Sequence, residues 1–142
     1  MIKKVSDIMT TNVVTISLDE RLDLVDEIMT SGEIRHMPVT RGGAVVGLLS
    51  QRDLLRAKLS TVIEHSEEDR KDLLEATDVE KVMTEDVEFA DPNEPVTHAA
   101  KRMLDMKIGC LPVIGEGNEL LGLITETDVM RYFVEFVENN ES

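Results

Sequence analysis

The chain has 142 residues, a formal net charge of −14 at pH 7 and one cysteine. This charge disfavours nucleic acid and anionic membrane surfaces as partners, although a small anion can still bind a few well-placed donors. No apolar run approaches the ~18 residues that span a bilayer, and no signal-peptide pattern is present, so membrane insertion is not expected. The single Cys110 excludes an internal disulfide and fits a reducing cytoplasm.

The first half of the chain opens with a short helix predicted at residues 4–11 and a β-branched strand at 13–16. Asp19 or Ser17 can cap the helix that follows, and Gly32 can end it. This helix is predicted because apolar residues recur there at helical spacing, namely Leu22, Val25, Ile28 and Met29.

A β-hairpin and a second helix complete this half. Residues 37–39 begin one strand, a turn at 41–43 follows, and residues 44–49 return. Ser50 opens the last helix, whose apolar positions are Leu54, Leu55 and Leu59.

The second half retraces this order. Its predicted elements are a strand at 87–90, a helix carrying Val96, Ala99 and Met103, a strand at 111–114, a turn at 116–118, a strand at 120–124 and a helix from Thr125 towards Val137. The pattern of each half therefore predicts the element order β-α-β-β-α, which gives an α/β (α+β) fold. Between the halves lies an acidic connector at 60–78. In it, Ser66 to Asp69 resemble a capping box for a solvated spacer helix.

The two halves are copies of each other. A constant shift pairs Met9-Thr10 with Met83-Thr84 and Pro38-Val39 with Pro112-Val113. After one inserted residue, Gly47-Leu48-Leu49-Ser50-x-x-Asp53 pairs with Gly122-Leu123-Ile124-Thr125-x-x-Asp128. The repeated register indicates an internal duplication. Each copy is about 55 residues, near the lower limit for an independent core, so the copies are expected to share one core.

The repeated glycine–hydroxyl–aspartate motif has two interpretations. In the structural one, Ser50 or Thr125 caps a helix, the aspartate closes a capping box, and the glycine allows close packing. In the functional one, the helix N-terminus and the hydroxyl bind a phosphate, while Asp53 or Asp128 accepts both hydrogens of a ribose cis-diol. The two interpretations are compatible.

All of these motifs, in order and twice, resemble a pair of CBS domains, the module named after cystathionine β-synthase. The resemblance covers about residues 5–59 and 79–137. It implies two repeats packed through their sheets about a pseudo-two-fold axis. The two clefts between such repeats bind adenine nucleotides or S-adenosylmethionine in many members, and modules commonly pair as disk-shaped dimers. The predicted domains are a lead-in with repeat one at 1–59, the connector at 60–78, and repeat two with a C-terminal helix and tail at 79–142.

The resemblance implies that ligand contacts come from the strand prolines and the repeated motif. Basic residues before the proline meet phosphates in nucleotide-binding relatives, so Arg35 and His36 would make the cleft of repeat one the phosphate-competent one. The alternative is a surface arginine and a partly buried histidine. Gly109 and Cys110 would line an apolar or adenine-sized wall, or are only small core residues. The predicted ligand-binding residues are Arg35, His36, Met37, Pro38, Gly47, Ser50, Asp53, Gly109, Cys110, Leu111, Pro112, Gly122, Thr125 and Asp128.

One departure from the family pattern concerns charge. Where relatives that bind nucleotides often carry Thr or Ser at the start of the first helix of a repeat, this chain has Glu20 and Glu94. A carboxylate facing a phosphate lowers affinity, which disfavours a polyphosphate. The possible regulatory ligands are AMP, ADP, ATP and S-adenosylmethionine, with the less anionic ones favoured.

The leading hypothesis is therefore a stand-alone regulatory homodimer in the cytoplasm that binds an adenosyl ligand and signals to an unidentified partner protein. The alternative is a ligand-free dimerisation scaffold. Catalysis is not expected, because no base is paired with Ser50 or Cys110. No required cofactor and no metal site are expected, because His36, His65, His98 and Cys110 lack metal-ligand spacing.

Overall fold

The computed structural model describes residues 3–62 and 66–141. Part of the predicted connector, His65 and the outermost residues of the predicted domains lie outside these ranges. In chain order the elements are α1 (Val5–Ile8), β1 (Ile16–Ser17), α2 (Leu22–Gly32), β2 (His36–Arg41), β3 (Ala44–Ser50), α3 (Gln51–Val62), α4 (Glu67–Ala76), a 3-10 turn (Val79–Lys81), α5 (Val96–Met106), β4 (Cys110–Ile114), a second 3-10 turn (Glu116–Asn118), β5 (Leu120–Thr125) and α6 (Glu126–Asn140). This mixture of helices and strands confirms the α+β class.

These elements form two compact units. One is made of Met1–Val13 together with Glu88–Ser142, and we call it the split unit. The other is the uninterrupted segment Val14–Val87, which we call the continuous unit. Each lead-in therefore packs with the opposite repeat, so the boundaries of the units differ from those of the sequence repeats.

The continuous unit is built on a three-stranded sheet in the order β1-β2-β3. β1 runs parallel to β2, and β2 runs antiparallel to β3. The hairpin turns at Gly42 and Gly43, whose φ angles of 58° and 86° suit glycine, as the predicted turn requires. The predicted stripe of α2 is buried in this unit's core, which includes Leu22, Val25, Met29, Met37, Val39, Leu49 and Val79.

The split unit has an antiparallel pair, β4 and β5, under α5, α6 and the short α1. The strand predicted at 87–90 is reduced to one parallel bridge between Ala90 and Val113. Its core comprises Val5, Ala90, Ala99, Met103, Leu111, Val113 and Ile124. Cys110 is also buried, and this burial, reinforced by the charge of Glu126, raises the pKa of its thiol from 9.0 to about 12.

The predicted cap of α2 is wrong. Ser17 donates to Asp19 at 2.5 Å, outside the helix, and α2 begins after Arg21. The reason is a distant backbone partner, because the Leu22 N–H donates to the Thr77 carbonyl at 3.0 Å. A main-chain carbonyl thus replaces the side-chain cap.

The other end of α2 lies at Gly32, as predicted. Gly32 is the last helical residue, and Glu33 takes the left-handed conformation at φ 52°. Lys107 does the same after α5, at φ 56°. Residues with side chains therefore end both helices, at the same place in each repeat.

The connector helix α4 is capped as predicted, with Ser66 accepting from the Asp69 N–H at 3.2 Å. No residue of α4 is fully buried. Leu74 nevertheless packs against the core of the continuous unit. The helix is thus a cover for that unit and is less solvated than predicted.

The lead-in segments lie directly against the repeated glycines. In the continuous unit, Thr84 and Leu48 exchange two backbone hydrogen bonds of 2.9 and 3.0 Å, and a Cβ on Gly47 would overlap Met83 Sδ. In the split unit, Thr10 and Leu123 exchange two bonds of 2.8 Å each. A Cβ on Gly122 would lie 2.6 Å from the Thr10 carbonyl oxygen and 2.9 Å from Met9 Sδ. Close packing therefore explains both glycines.

Replacing Gly122 with alanine should destabilise the protein more than replacing Gly47. The new Cβ at 122 would meet a backbone oxygen, whereas at 47 it would meet a flexible methionine side chain. Overpacking costs about 1–3 kcal/mol, so urea titration should show losses of about 3 kcal/mol for G122A and about 1 kcal/mol for G47A.

Gly115 provides the matched control, because a Cβ there would have its nearest neighbour at 3.4 Å and its φ is −104°. Gly115→Ala should leave the free energy of unfolding nearly unchanged. Losses of equal size at 115 and 122 would contradict the proposed packing role of Gly122.

Cys110 should not react with a thiol reagent such as DTNB in the folded protein at pH 8, because the thiolate is the reactive form and its folded pKa is about 12. Unfolding in urea should make it reactive. Above pH 9 the unfolded thiol loses a proton that the folded one keeps, so stability should fall by about 1.4 kcal/mol per pH unit towards pH 12.

Cys110→Ala is the control, because other groups also titrate at high pH. The variant should lose only the part of the alkaline destabilisation that Cys110 causes, measured by urea titrations at pH 8 and 10. Identical pH dependence in the two proteins would refute the assignment.

Candidate functional site

In the continuous unit, the repeated motif lies where β3 passes into α3. The Ser50 N–H donates to Asp53 Oδ2 at 2.9 Å, and the Asp53 N–H donates to Ser50 Oγ at 3.0 Å. The Gln51 N–H donates to the Arg35 carbonyl at 2.8 Å. The structural interpretation of this motif, a capping box at the start of a helix, is therefore correct.

The same motif keeps polar atoms available for a ligand. Among the described residues, Asp53 Oδ1 has one neighbour of opposite charge, Arg56 Nη1 at 3.9 Å, in an exposed and weak ion pair. The Asp53 side chain is 15% exposed. Within residues 3–62 and 66–141, no hydrogen bond uses the hydroxyl proton of Ser50. Arg35 is exposed, and His36 lies opposite Ser50 in the β2–β3 ladder.

In the split unit, the equivalent carboxylate is enclosed. Asp128 Oδ2 accepts from the Thr125 N–H and the Thr125 hydroxyl, each at 3.0 Å. Thr10 Oγ1 donates to Asp128 Oδ1 at 2.9 Å and to Oδ2 at 3.2 Å. Arg131 Nη1 adds a contact of 3.4 Å to Oδ1, and the Asp128 side chain is only 3% exposed. Two motifs that look alike in sequence are thus unequal in structure.

The predicted site residues divide by burial. Within their own units, Arg35 is exposed, and His36, Ser50, Asp53, Gly109 and Thr125 are half-buried. The remaining predicted residues are buried, namely Met37, Pro38, Gly47, Cys110, Leu111, Pro112, Gly122 and Asp128. These buried residues belong to the packed interior that holds the more exposed site residues in position.

The helix N-terminus of α3 is a weaker phosphate site than the sequence predicts. Two of its first N–H groups, those of Gln51 and Asp53, already donate to the Arg35 carbonyl and to Ser50 Oγ. The exposed side chain of Arg35, whose carbonyl bonds the start of α3, is then a donor left for a phosphate. It offers a planar fork that matches two phosphate oxygens.

Glu94 does not present a free charge, contrary to the sequence interpretation. Its carboxylate accepts from the Asp91 N–H at 3.2 Å and pairs with Arg102. Arg102 also donates to the Phe89 carbonyl at 2.8 Å. Glu94 therefore fixes the loop before α5. Glu20, its counterpart, is half-buried, and its carbonyl accepts from the Val79 N–H at 2.8 Å.

Thr10 is the important residue that the sequence interpretation missed. The repeat alignment contains its signal, because Thr10 pairs with Thr84 directly after a repeated methionine. The alignment gives no hint that one threonine bonds an aspartate. Arg56 and Arg131, which contact the two motif aspartates, were missed as well, although they recur at matching positions in the repeats.

Within the described ranges, no three His, Cys, Asp or Glu residues gather closely enough to hold a metal ion. His65 of the sequence analysis lies outside those ranges. None of the described helices has both the length and the apolar character needed to cross a membrane.

Curated and solved proteins resemble this chain over most of its length. A homoserine O-acetyltransferase of Methanococcoides burtonii is 34% identical over 128 residues, which are 89% of this chain and 23% of the enzyme. This chain therefore spans about a quarter of that relative. A crystal structure of a Vibrio cholerae protein assigned to acetoin utilization, AcuB, has a TM-score of 0.82 and 31% identity, covering 100% of this chain and 98% of that one.

A ligand-bound structure is also similar. The CBS domain pair of protein MJ0100, in complex with 5′-methylthioadenosine and S-adenosyl-L-methionine, has a TM-score of 0.80 and 25% identity over 96% of this chain and 99% of that one. The CBS domain family model matches twice, at residues 5–60 and 79–135. With both repeats matched in sequence and in fold, the chain belongs to the CBS domain family.

Proposed function

We propose that this chain is a regulatory module that binds an adenosyl ligand at the motif of the continuous unit. The observation that carries the proposal is the unequal bonding of the two motif aspartates. Asp53 keeps Oδ1 clear of hydrogen bonds from the described residues, whereas Asp128 is enclosed by donors. A carboxylate with an open oxygen suits a ribose cis-diol.

In this proposal, three side chains contact different parts of the adenosyl ligand. Asp53 accepts from the ribose hydroxyls, and the Ser50 hydroxyl donates to a ligand oxygen. Arg35, exposed beside the motif, contacts a phosphate or a carboxylate. His36, opposite Ser50, lies close enough in the ladder to contribute as well. The buried residues Met37 and Pro38 hold this edge of the sheet in place.

The ligand class follows from the available donors. The Gln51 and Asp53 N–H groups are already used, so the backbone at the start of α3 has fewer donors for a polyphosphate. This favours AMP or S-adenosylmethionine over ADP and ATP. The MJ0100 domain pair, which is crystallised with S-adenosyl-L-methionine and 5′-methylthioadenosine, supports the same class.

The role we propose is regulatory and not catalytic. A ligand changes the activity of a partner protein by binding more tightly to one arrangement of the module than to another. Cys110 is a poor nucleophile, because burial raises its pKa to about 12. The partner is another protein, and we propose the cytoplasm as the site of action, because a single cysteine fits a reducing compartment.

A homodimer is the second part of the proposal, and it also underlies the alternative scaffold function. Apolar residues of α6 are exposed, with Met130 at 62%, Phe133 at 59% and Phe136 at 54%. Arg131 lies among them at 60% exposure. A second copy of this chain suits the face, because a two-fold contact places the same apolar patch of each copy against the other.

Asp53→Asn should weaken ligand binding at least tenfold, which is about 1.4 kcal/mol. Asparagine keeps an acceptor for the Ser50 N–H and so preserves the helix cap. It removes the negatively charged carboxylate that accepts hydrogen bonds from both hydroxyls of the ribose diol. The measurement is isothermal titration calorimetry with AMP and with S-adenosylmethionine.

Asp69→Asn is the matched control for this prediction. Asp69 occupies the same place in a Ser-x-x-Asp helix start, at α4, outside both repeated motifs. The control should bind as wild type does. Equal affinity of D53N and wild type for an adenosyl compound would refute the role of Asp53, whereas no binding of any of them by wild type would favour the ligand-free scaffold.

Phe133→Glu should convert a dimer into a monomer in sedimentation velocity experiments. The side chain is 59% exposed, so the change leaves the fold intact, while a buried carboxylate in an apolar interface is costly. Glu138→Gln, an exposed change on the same helix, serves as the control and should remain dimeric. A wild-type protein that sediments as a monomer would rule out the homodimer.

A further inference from the structure

The hydroxyl of Thr10 occupies the acceptor atoms that a ligand diol would need in the split unit. It donates to both oxygens of Asp128, at 2.9 and 3.2 Å. The Thr125 hydroxyl donates to the same carboxylate at 3.0 Å, so its proton is also committed. With Arg131 at 3.4 Å, every side of this carboxylate meets a donor from the chain itself.

Thr10 is held in this position by the main chain. Its N–H and carbonyl exchange hydrogen bonds of 2.8 Å with Leu123, and Met9 beside it packs over Gly122. The backbone of Thr10 is therefore fixed on β5, and its hydroxyl leaves Asp128 only by rotation about χ1. A ligand must break the Thr10–Asp128 hydrogen bonds before it can use the carboxylate, which makes the contact a barrier to binding.

The other unit supplies the comparison. Thr84 occupies the equivalent lead-in position and exchanges the same two backbone bonds, with Leu48. Thr84 and Thr10 are both exposed residues, but among the described residues no hydrogen bond joins the Thr84 hydroxyl to Asp53. The two lead-ins are alike in sequence and backbone, and they differ in whether the hydroxyl bonds the motif aspartate.

We propose that Thr10 is a latch that closes the repeat-two motif, so that the chain offers one adenosyl site instead of two. This inference rests on the proposed function, since it assumes that a motif aspartate binds the ribose. Thr10 is then the residue that decides which of two duplicated motifs is open. Each lead-in lies beside the motif of the other repeat, but only the lead-in that carries Thr10 closes the motif beside it.

Calorimetric titration of the full chain with AMP, repeated with S-adenosylmethionine, tests the latch through the number of sites. Wild type should bind one ligand per chain. Thr10→Val, which keeps the shape and removes the donor, should bind two, the second within tenfold of the first in affinity. Adding Asp128→Asn to that variant should return the stoichiometry to one.

Two controls define the result. Thr84→Val makes the same change in the other lead-in and should leave one site per chain. Thr10→Ser keeps the hydroxyl and should also leave one site. The single variant Asp128→Asn does not depend on the stability of T10V, and it should bind as wild type does, within twofold.

The outcomes separate the latch from the function on which it rests. One site in both wild type and folded T10V would overturn the latch and leave the proposed function standing. Two sites in wild type, one of them lost in D128N, would also overturn it. No binding by wild type or T10V would overturn the proposed function and the latch with it. Binding by T10V alone, lost with D128N, would support the latch and overturn the role of Asp53.

Discussion

Both units depend on one close approach, that of a methionine–threonine pair to a glycine on the neighbouring strand. Neither Gly47 nor Gly122 leaves room for a Cβ, because Met83 fills that space at Gly47, and the Thr10 carbonyl and Met9 fill it at Gly122. The backbone bonds made there also carry the threonine towards the helix start three residues further along the strand. The packing that closes each core therefore also brings a threonine hydroxyl towards each motif. The same methionine–threonine pair thus serves both the packing and the proposed ligand site.

Much of the fold could be predicted because its signals are local. The hairpin turn at Gly42-Gly43 and the apolar stripe of α2 follow from residues adjacent in sequence. The start of α2 could not be predicted, because the partner of the Leu22 N–H is the carbonyl of Thr77. A main-chain acceptor from a distant segment leaves no pattern in the sequence. The sequence also could not show that each lead-in packs with the other repeat, because each lead-in pattern fits either repeat equally well.

The candidate site was only partly predictable. The contrast between Arg35 and Gly109 is visible in the sequence and already separates the repeats by charge. The inequality of the two aspartates is not visible, because Thr10 and Thr84 are the same residue in the same local pattern. It arises from where each threonine hydroxyl lies relative to the aspartate, which a sequence repeat does not record. Duplication preserved the motif residues while the contacts around them diverged.

The division of the chain into a continuous and a split unit gives the protein an order of assembly. Every residue of Val14–Val87 is adjacent in the chain, so that unit can complete its core as soon as this stretch leaves the ribosome. The split unit must wait, because Val5 packs in the same core as Ile124. Contacts of such long sequence separation form slowly. The N-terminal segment therefore spends synthesis unpaired and is fixed last, when the end of the chain returns to meet it.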